Sequence, residues 1–194
     1  NDLLVANTGT GDFTVFLSKE LGLFLSKEKG SRDFAVGGEP IDIAAGYLRS
    51  PVDGTADSAD ALNELPDVVT LLDGNIIVSY SLDKDGLAEV GESIGFEPAK
   101  AIPFPGKNPV DVELADMNGD GFVDIVVLDR DSSSVWIYMN LGQQKFSDPY
   151  SFDTGTSPIE MSVVDVDADG CMDIVTADSM GKTLTSLRNT TTSC

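Results

Sequence analysis

Asp116, Asn118, Asp120 and Asp124 are spaced through the stretch ADMNGDGFVD, and Asp165, Asp167, Asp169 and Asp173 repeat the spacing in VDVDADGCMD. Oxygens at the first, third and fifth positions converge when the backbone curls, and the glycine that follows (Gly121, Gly170) permits the sharp turn. The next residue contributes its backbone carbonyl, so its side chain is free to vary, and it is Phe122 in one stretch and Cys171 in the other. Asp124 and Asp173 close each cage. Every donor is a hard oxygen, which suits Ca²⁺ at roughly 2.3–2.6 Å better than a nitrogen- or sulfur-seeking metal. Mg²⁺ fits less well, because it keeps its waters and a strict octahedron. Two calcium sites are therefore expected. The second, with four carboxylates against three and an amide, should bind more tightly. An EF-hand is excluded: its bidentate Glu is replaced by Val127 and Thr176, and the flanking residues read as strands. A merely polar hairpin would crowd carboxylates together with nothing to offset their repulsion, and here it would have to do so twice.

The remaining composition narrows the chemistry. The chain has 194 residues and no histidine, so Ser-His-Asp and Cys-His catalysis and His-ligated zinc are all excluded. Two cysteines, Cys171 and Cys194, are too few for a thiolate cluster; they either form one disulfide or stay free. A polysaccharide-cleaving enzyme needs paired carboxylates, but the clearest acids are committed to the loops and no other pair stands out, so no catalytic residue is assigned. With 33 acids against 12 bases the net charge is −21, which repels phosphate backbones and anionic lipid. Neither nucleic acid nor membrane insertion is expected, since no apolar run is long enough to span a bilayer. The chain starts at Asn1 without a basic-then-apolar leader and reads as a processed or excised product.

Such loops need elements to hold them, and the sequence supplies these as repeats. Pro40, Pro109 and Pro158 are each preceded by a glycine three residues earlier (Gly37, Gly106, Gly155) and, further back, by Phe34, Phe104 or Phe152. Each is followed by an aspartate and an apolar run: Asp67 with VVTLL, Asp124 with IVVL, Asp173 with IVTA, and a fourth such start at Asp2 with LLVA. PVDVELAD and SVWIYMN alternate with the period of a strand, DIVVL reads as a short buried strand, KFSDPYSF as an edge strand, and LGLFLSKEKG at 21–30 as strand plus turn. The fold class expected is all-β. Each repeat gives about four antiparallel strands, as in a β-propeller blade, with a β-sandwich as the competing architecture. The division is 1–39, a partial blade; 40–108, a blade with a degenerate loop and an insertion at about 50–65; 109–157, a blade with a calcium loop; and 158–194, a partial blade with a calcium loop. Two complete and two partial blades suggest a section of a larger propeller, or one completed by other copies or subunits. In the degenerate loop Tyr47, Arg49 and Pro51 replace the ligands. Either Arg49 pairs with Asp67 and substitutes a fixed charge for the metal, or it is solvated.

These motifs resemble FG-GAP/VCBS repeats, the blade units of integrin α-like propellers, strongly over 104–189, moderately over 34–82 and partially over 1–20. In that family the DxDxDGxxD loop joins the first two strands of a blade and binds Ca²⁺. The resemblance extends this to Asp116, Asn118, Asp120, Phe122 and Asp124, and to Asp165, Asp167, Asp169, Cys171 and Asp173, but not to Tyr47, Arg49 and Pro51. It also implies an extracellular, cell-surface or periplasmic location and a role in adhesion, carbohydrate recognition or assembly, with a protein or glycan partner. Some members are parts of polysaccharide-degrading enzymes. Trp136 and Tyr138 read as blade packing, Tyr150 as an exposed ring, and Asn189-Thr190-Thr191 as a glycosylation sequon.

Overall fold

The computed structural model of the chain describes residues 3–16, 31–49, 66–82 and 94–191; the stretch 21–30 and the insertion at 50–65 lie outside them. Every regular element among the described residues is a strand. Blade I is β1 (Leu3–Asn7), β2 (Asp12–Phe16) and β3 (Ser31–Ala35); blade II is β4 (Asp42–Gly46), β5 (Asp67–Leu72), β6 (Asn75–Ser79) and β7 (Lys100–Pro103). Blade III is β8 (Pro109–Ala115), β9 (Asp124–Asp129), β10 (Ser134–Tyr138) and β11 (Tyr150–Asp153); blade IV is β12 (Pro158–Val164), β13 (Asp173–Asp178) and β14 (Thr183–Leu187). Within each sheet the strands pair in chain order and antiparallel. Innermost strands β4, β8 and β12 pack side by side, so successive sheets stack face to face. By register, β1 matches β5, β9 and β13, each following its aspartate, and β3 carries the repeat phenylalanine, Phe34.

Stacking explains why the second strands are apolar runs rather than alternating ones. β5 and β9 are buried along their whole length because each is covered on both faces. Val68 and Leu72 face blade I with Phe13 and Val15, whereas Val69 and Leu71 face blade III with Ile125 and Val127. Val126 and Leu128, the other face of β9, meet Met161 and Ile174 of blade IV. Each fully covered Val or Leu contributes about 1.5–3 kcal/mol, so the seams between blades are the cores of the molecule.

Polar clips repeat along the seams. Asp42 accepts the Val112 amide at 2.9 Å, and Asp111 accepts the Met161 amide at 2.7 Å, each joining one innermost strand to the next. The Asn140 side chain donates to the Leu48 carbonyl at 2.7 Å, and Asn189 to the Met117 carbonyl at 2.7 Å, each reaching back to the preceding blade. Two of the three repeat glycines are fixed by close approach: a Cβ on Gly106 would stand 2.1 Å from Asp129 Oδ2, and one on Gly155 2.1 Å from Asp178 Oδ2, whereas Gly37 meets nothing within 4 Å and holds a φ of 81°. These aspartates end β9 and β13; Asp129 holds the connector into blade III by accepting the Asn108 amide at 3.2 Å and its own turn by the Asp131 amide at 3.0 Å, whereas Asp178 accepts the Thr185 hydroxyl at 2.6 Å.

Candidate metal centre

Both acidic loops join the first strand of a blade to the second, the first between β8 and β9 and the second between β12 and β13. Each rests on the aspartate that opens the second strand. Asp124, fully buried, accepts the Met117 amide at 2.9 Å on one oxygen and the Asn140 amide at 2.7 Å on the other. Asp173 does the same with Val166 at 3.0 Å and Asn189 at 2.7 Å. These residues therefore hold the loop and the end of the third strand against the start of the second, a structural role that spacing alone did not reveal.

The bases of the two loops differ in charge environment. Burial pushes the Asp124 carboxyl up to about 6, against the pull of its two amide hydrogen bonds and with Asp120 and Asp116 adding repulsion. Asp173 is held below the ordinary carboxylate range by the Asn189 and Val166 amides, outweighing its burial, with help from Arg188. Asp124 is thus set apart chiefly by its burial, whereas Asp173 has a guanidinium nearby.

Above the base the loops curl as their spacing requires. Gly119 and Gly121 have φ of 71° and 87°, and Ala168 and Gly170 have 60° and 95°. In the first loop Asp116 accepts the Gly119 and Gly121 amides, both at 2.8 Å, and the Phe122 amide donates to Asp120 at 2.8 Å. In the second, Asp165 accepts the Gly170 amide at 3.0 Å and the Cys171 amide donates to Asp169 at 2.9 Å. The upper carboxylates nevertheless differ. Asn118 donates to Asp120 at 2.9 Å in the first loop. In the second, Asp165, Asp167 and Asp173 present oxygens within 4.8 Å of one another, the one such acidic group among the described residues. Asp165 Oδ1 is buried there without a hydrogen-bond partner, and Arg188 is paired with Asp167. An orphaned buried carboxylate oxygen facing two further carboxylates fits a hard divalent cation. Asp165, Asp167 and Asp173 would hold it by their side chains, and Asp169 and the Cys171 carbonyl follow in the same loop. Cys171 is disulfide-bonded, which resolves one of the alternatives left by the sequence; Cys194 lies outside the described residues.

The corresponding site of blade II contains a side-chain cation. Arg49 pairs with Asp67 at 2.9 Å, donates to the Ser81 carbonyl at 2.7 Å and lies over the Tyr80 ring at 5.6 Å. Asp67 accepts the Leu48 amide at 3.1 Å and the Ser81 amide at 2.9 Å, the same two clips seen at Asp124 and Asp173. The guanidinium thus stands where the acidic loops would place a metal. Pro51 lies outside the described residues, and Tyr47 is exposed.

The repeat geometry is matched by the comparison with protein families, in which residues 116–176 fit the model of the FG-GAP-like repeat. Over residues 116–176 the chain is similar to that repeat. The match runs from the first acid of one loop past the last of the other, so it contains both candidate sites and strands β9 to β12 between them. No curated protein matches the chain. Similar solved structures are BBS1N in complex with ARL6DN soaked with mercury (13% identity, TM-score 0.57, covering 97% of this chain and 46% of that one) and the same complex soaked with lead (16%, 0.56, 97% and 49%). An Agrocybe aegerita lectin that recognises non-reducing terminal N-acetylglucosamine is also similar (20%, 0.50, 91% and 46%). The chain spans about half the length of each of these. At such identities the likeness speaks for the fold, which is that of β-propeller blades.

Proposed function

We propose that the chain is a calcium-stabilised β-propeller module that binds a protein or glycan partner outside the cytoplasm and carries out no catalysis. One observation carries the calcium assignment: the three carboxylates of the second loop converge around the unpartnered Asp165 Oδ1. The first loop, with the same spacing of donors and the same curl, is the second site, formed by Asp116, Asn118, Asp120, the Phe122 carbonyl and Asp124. Calcium in this reading is structural, pinning the first strand of a blade to the second. The disulfide at Cys171 suits an oxidising compartment, where calcium is abundant. The similarity to a complexed protein and to a lectin supports a binding role of one kind or the other. Asp42 and Asp111 are adjacent acids, but each already holds a backbone amide of the next blade, which favours a strap over an acid–base pair.

Thermal melting in calcium and in EGTA tests the reading. Binding only the folded state stabilises by about 2.7 kcal/mol at a hundredfold excess over Kd, so the midpoint should rise by several degrees with calcium and the rise should shrink in Asp165→Asn/Asp167→Asn. Equal midpoints in the two buffers would overturn it.

A further inference from the structure

The seam between blades II and III is closed at its loop end by two tyrosines, Tyr80 and Tyr138, each 1% exposed. The Tyr138 hydroxyl donates to the Pro103 carbonyl at 3.1 Å, and Arg49 covers the Tyr80 ring. One seam further on, the strand registers place Met139 at the Tyr80 position, Leu187 at the Tyr138 position and Asn118 at that of Arg49. Both rings are missing there, and between blades III and IV lies a cavity of about 310 Å³. Three of the chain's five methionines line it, Met117, Met139 and Met172, together with Phe152, which is 49% exposed.

We propose that this groove receives a tyrosine side chain of a protein partner. The occupant follows from the preceding seam, where the same backbone frame is filled by tyrosine rings. Methionines pack adaptably and favour contact between sulfur and an aromatic ring, and Phe152 offers a face for stacking. Asn118 and Arg188 also belong to the lining, paired with Asp120 and Asp167 of the acidic loops. A net charge of −21 favours a tyrosine flanked by lysine or arginine. The groove walls include Asn118 from the first acidic loop and Met172 beside the second, so its shape depends on how the loops are held. The inference rests on the reading of the chain as a binding module and names where and what it binds.

The test uses the full chain with ¹³C-methyl methionine, in calcium, titrated with the capped tripeptide acetyl-Lys-Tyr-Lys-amide. Saturable shifts are expected at the methyls of Met117, Met139 and Met172, with none at Met180, which is 75% exposed and away from the groove. Burying about 200 Å² of aromatic surface corresponds to a Kd on the order of 0.1–1 mM. Leu187→Tyr and Met139→Tyr, each restoring a ring found in the preceding seam, should abolish the shifts while leaving the calcium-dependent melt unchanged. No shift at a probe concentration of about 10 mM, or shifts that persist in both variants, would overturn the proposal. So would N-acetylglucosamine shifting the same methyls when the tripeptide does not, since the groove would then be a sugar site. Loss of the methyl response with a retained calcium shift in melting sinks the groove alone and leaves the calcium reading intact.

Discussion

At the scale of single residues, the two loops do not bear equal strain. Ala168 holds a φ of 60° where the first loop has Gly119 at 71°. A left-handed conformation costs a residue with a Cβ roughly 1–2 kcal/mol, so Ala168→Gly should raise stability by about 1 kcal/mol in urea denaturation, partly offset by the greater freedom of glycine in the unfolded chain. The reciprocal Gly119→Ala should destabilise by a similar amount. Arg188 is the second local contrast: its guanidinium pairs with Asp167 from a position that is 62% exposed. A calcium ion entering the cluster must compete with that charge. Arg188→Gln should therefore increase calcium affinity at the second loop a few-fold by isothermal titration, with less effect in high salt, where exposed charges are screened.

At the scale of the element, blades II, III and IV each hold the start of the second strand by the same device, an aspartate bridging two amides, and only what lies above it changes. Blade II has Arg49 above Asp67, so its stability should not respond to calcium. Arg49→Met would leave a carboxylate that is 2% exposed without its cation, a change that costs about 3–5 kcal/mol where a buried pair loses one partner. Chemical denaturation should show that loss at equal size in calcium and in EGTA; recovery on adding calcium would mean that the metal and the guanidinium are interchangeable there. Much of this was legible beforehand. The acidic spacing located both loops, the shared Phe-Gly-Pro frame gave repeated strands, and the departure at Tyr47 and Arg49 left pairing with Asp67 as one of two readings, the one the structure shows. Less legible were residues whose partners lie across a seam. Asn189 read as a glycosylation sequon, whereas its amide is spent on the Met117 and Met172 carbonyls, as that of Asn140 is on Leu48 and Val123. Asp129 and Asp178 carried a signal, since each stands five residues after the aspartate that opens its strand, but their meaning depends on a connector folding back over the strand end, which no local pattern specifies.

At the scale of the molecule, the stacking of blades gives one register position very different weights. Val135 and Ile76, in the third strands of blades III and II, are fully buried, while Leu184 at the matching place in blade IV is 75% exposed. Val135→Ala should therefore cost about 1–3 kcal/mol and Leu184→Ala less than about 0.5 kcal/mol in the isolated chain, read by urea midpoints. The innermost strands set the pH response. Burial pushes the Asp111 carboxyl up to about 7, against the Met161 amide and reinforced by the neighbouring Asp42 and Glu160. An unfolded aspartate titrates near 3.9, so between those values the folded chain binds more protons than the unfolded one, and stability falls as pH rises through that window. Below it both states are protonated and Asp111 contributes no pH dependence; above it the burial penalty is fully present. Asp111→Asn keeps an oxygen for the Met161 amide but cannot ionise. It should match the wild type near pH 4 and exceed it at pH 8 by roughly 2–4 kcal/mol, measured as the difference between their urea stabilities in saturating calcium. Parallel pH curves would show that Asp111 stays charged between the blades and that the strap to Met161 offsets its burial.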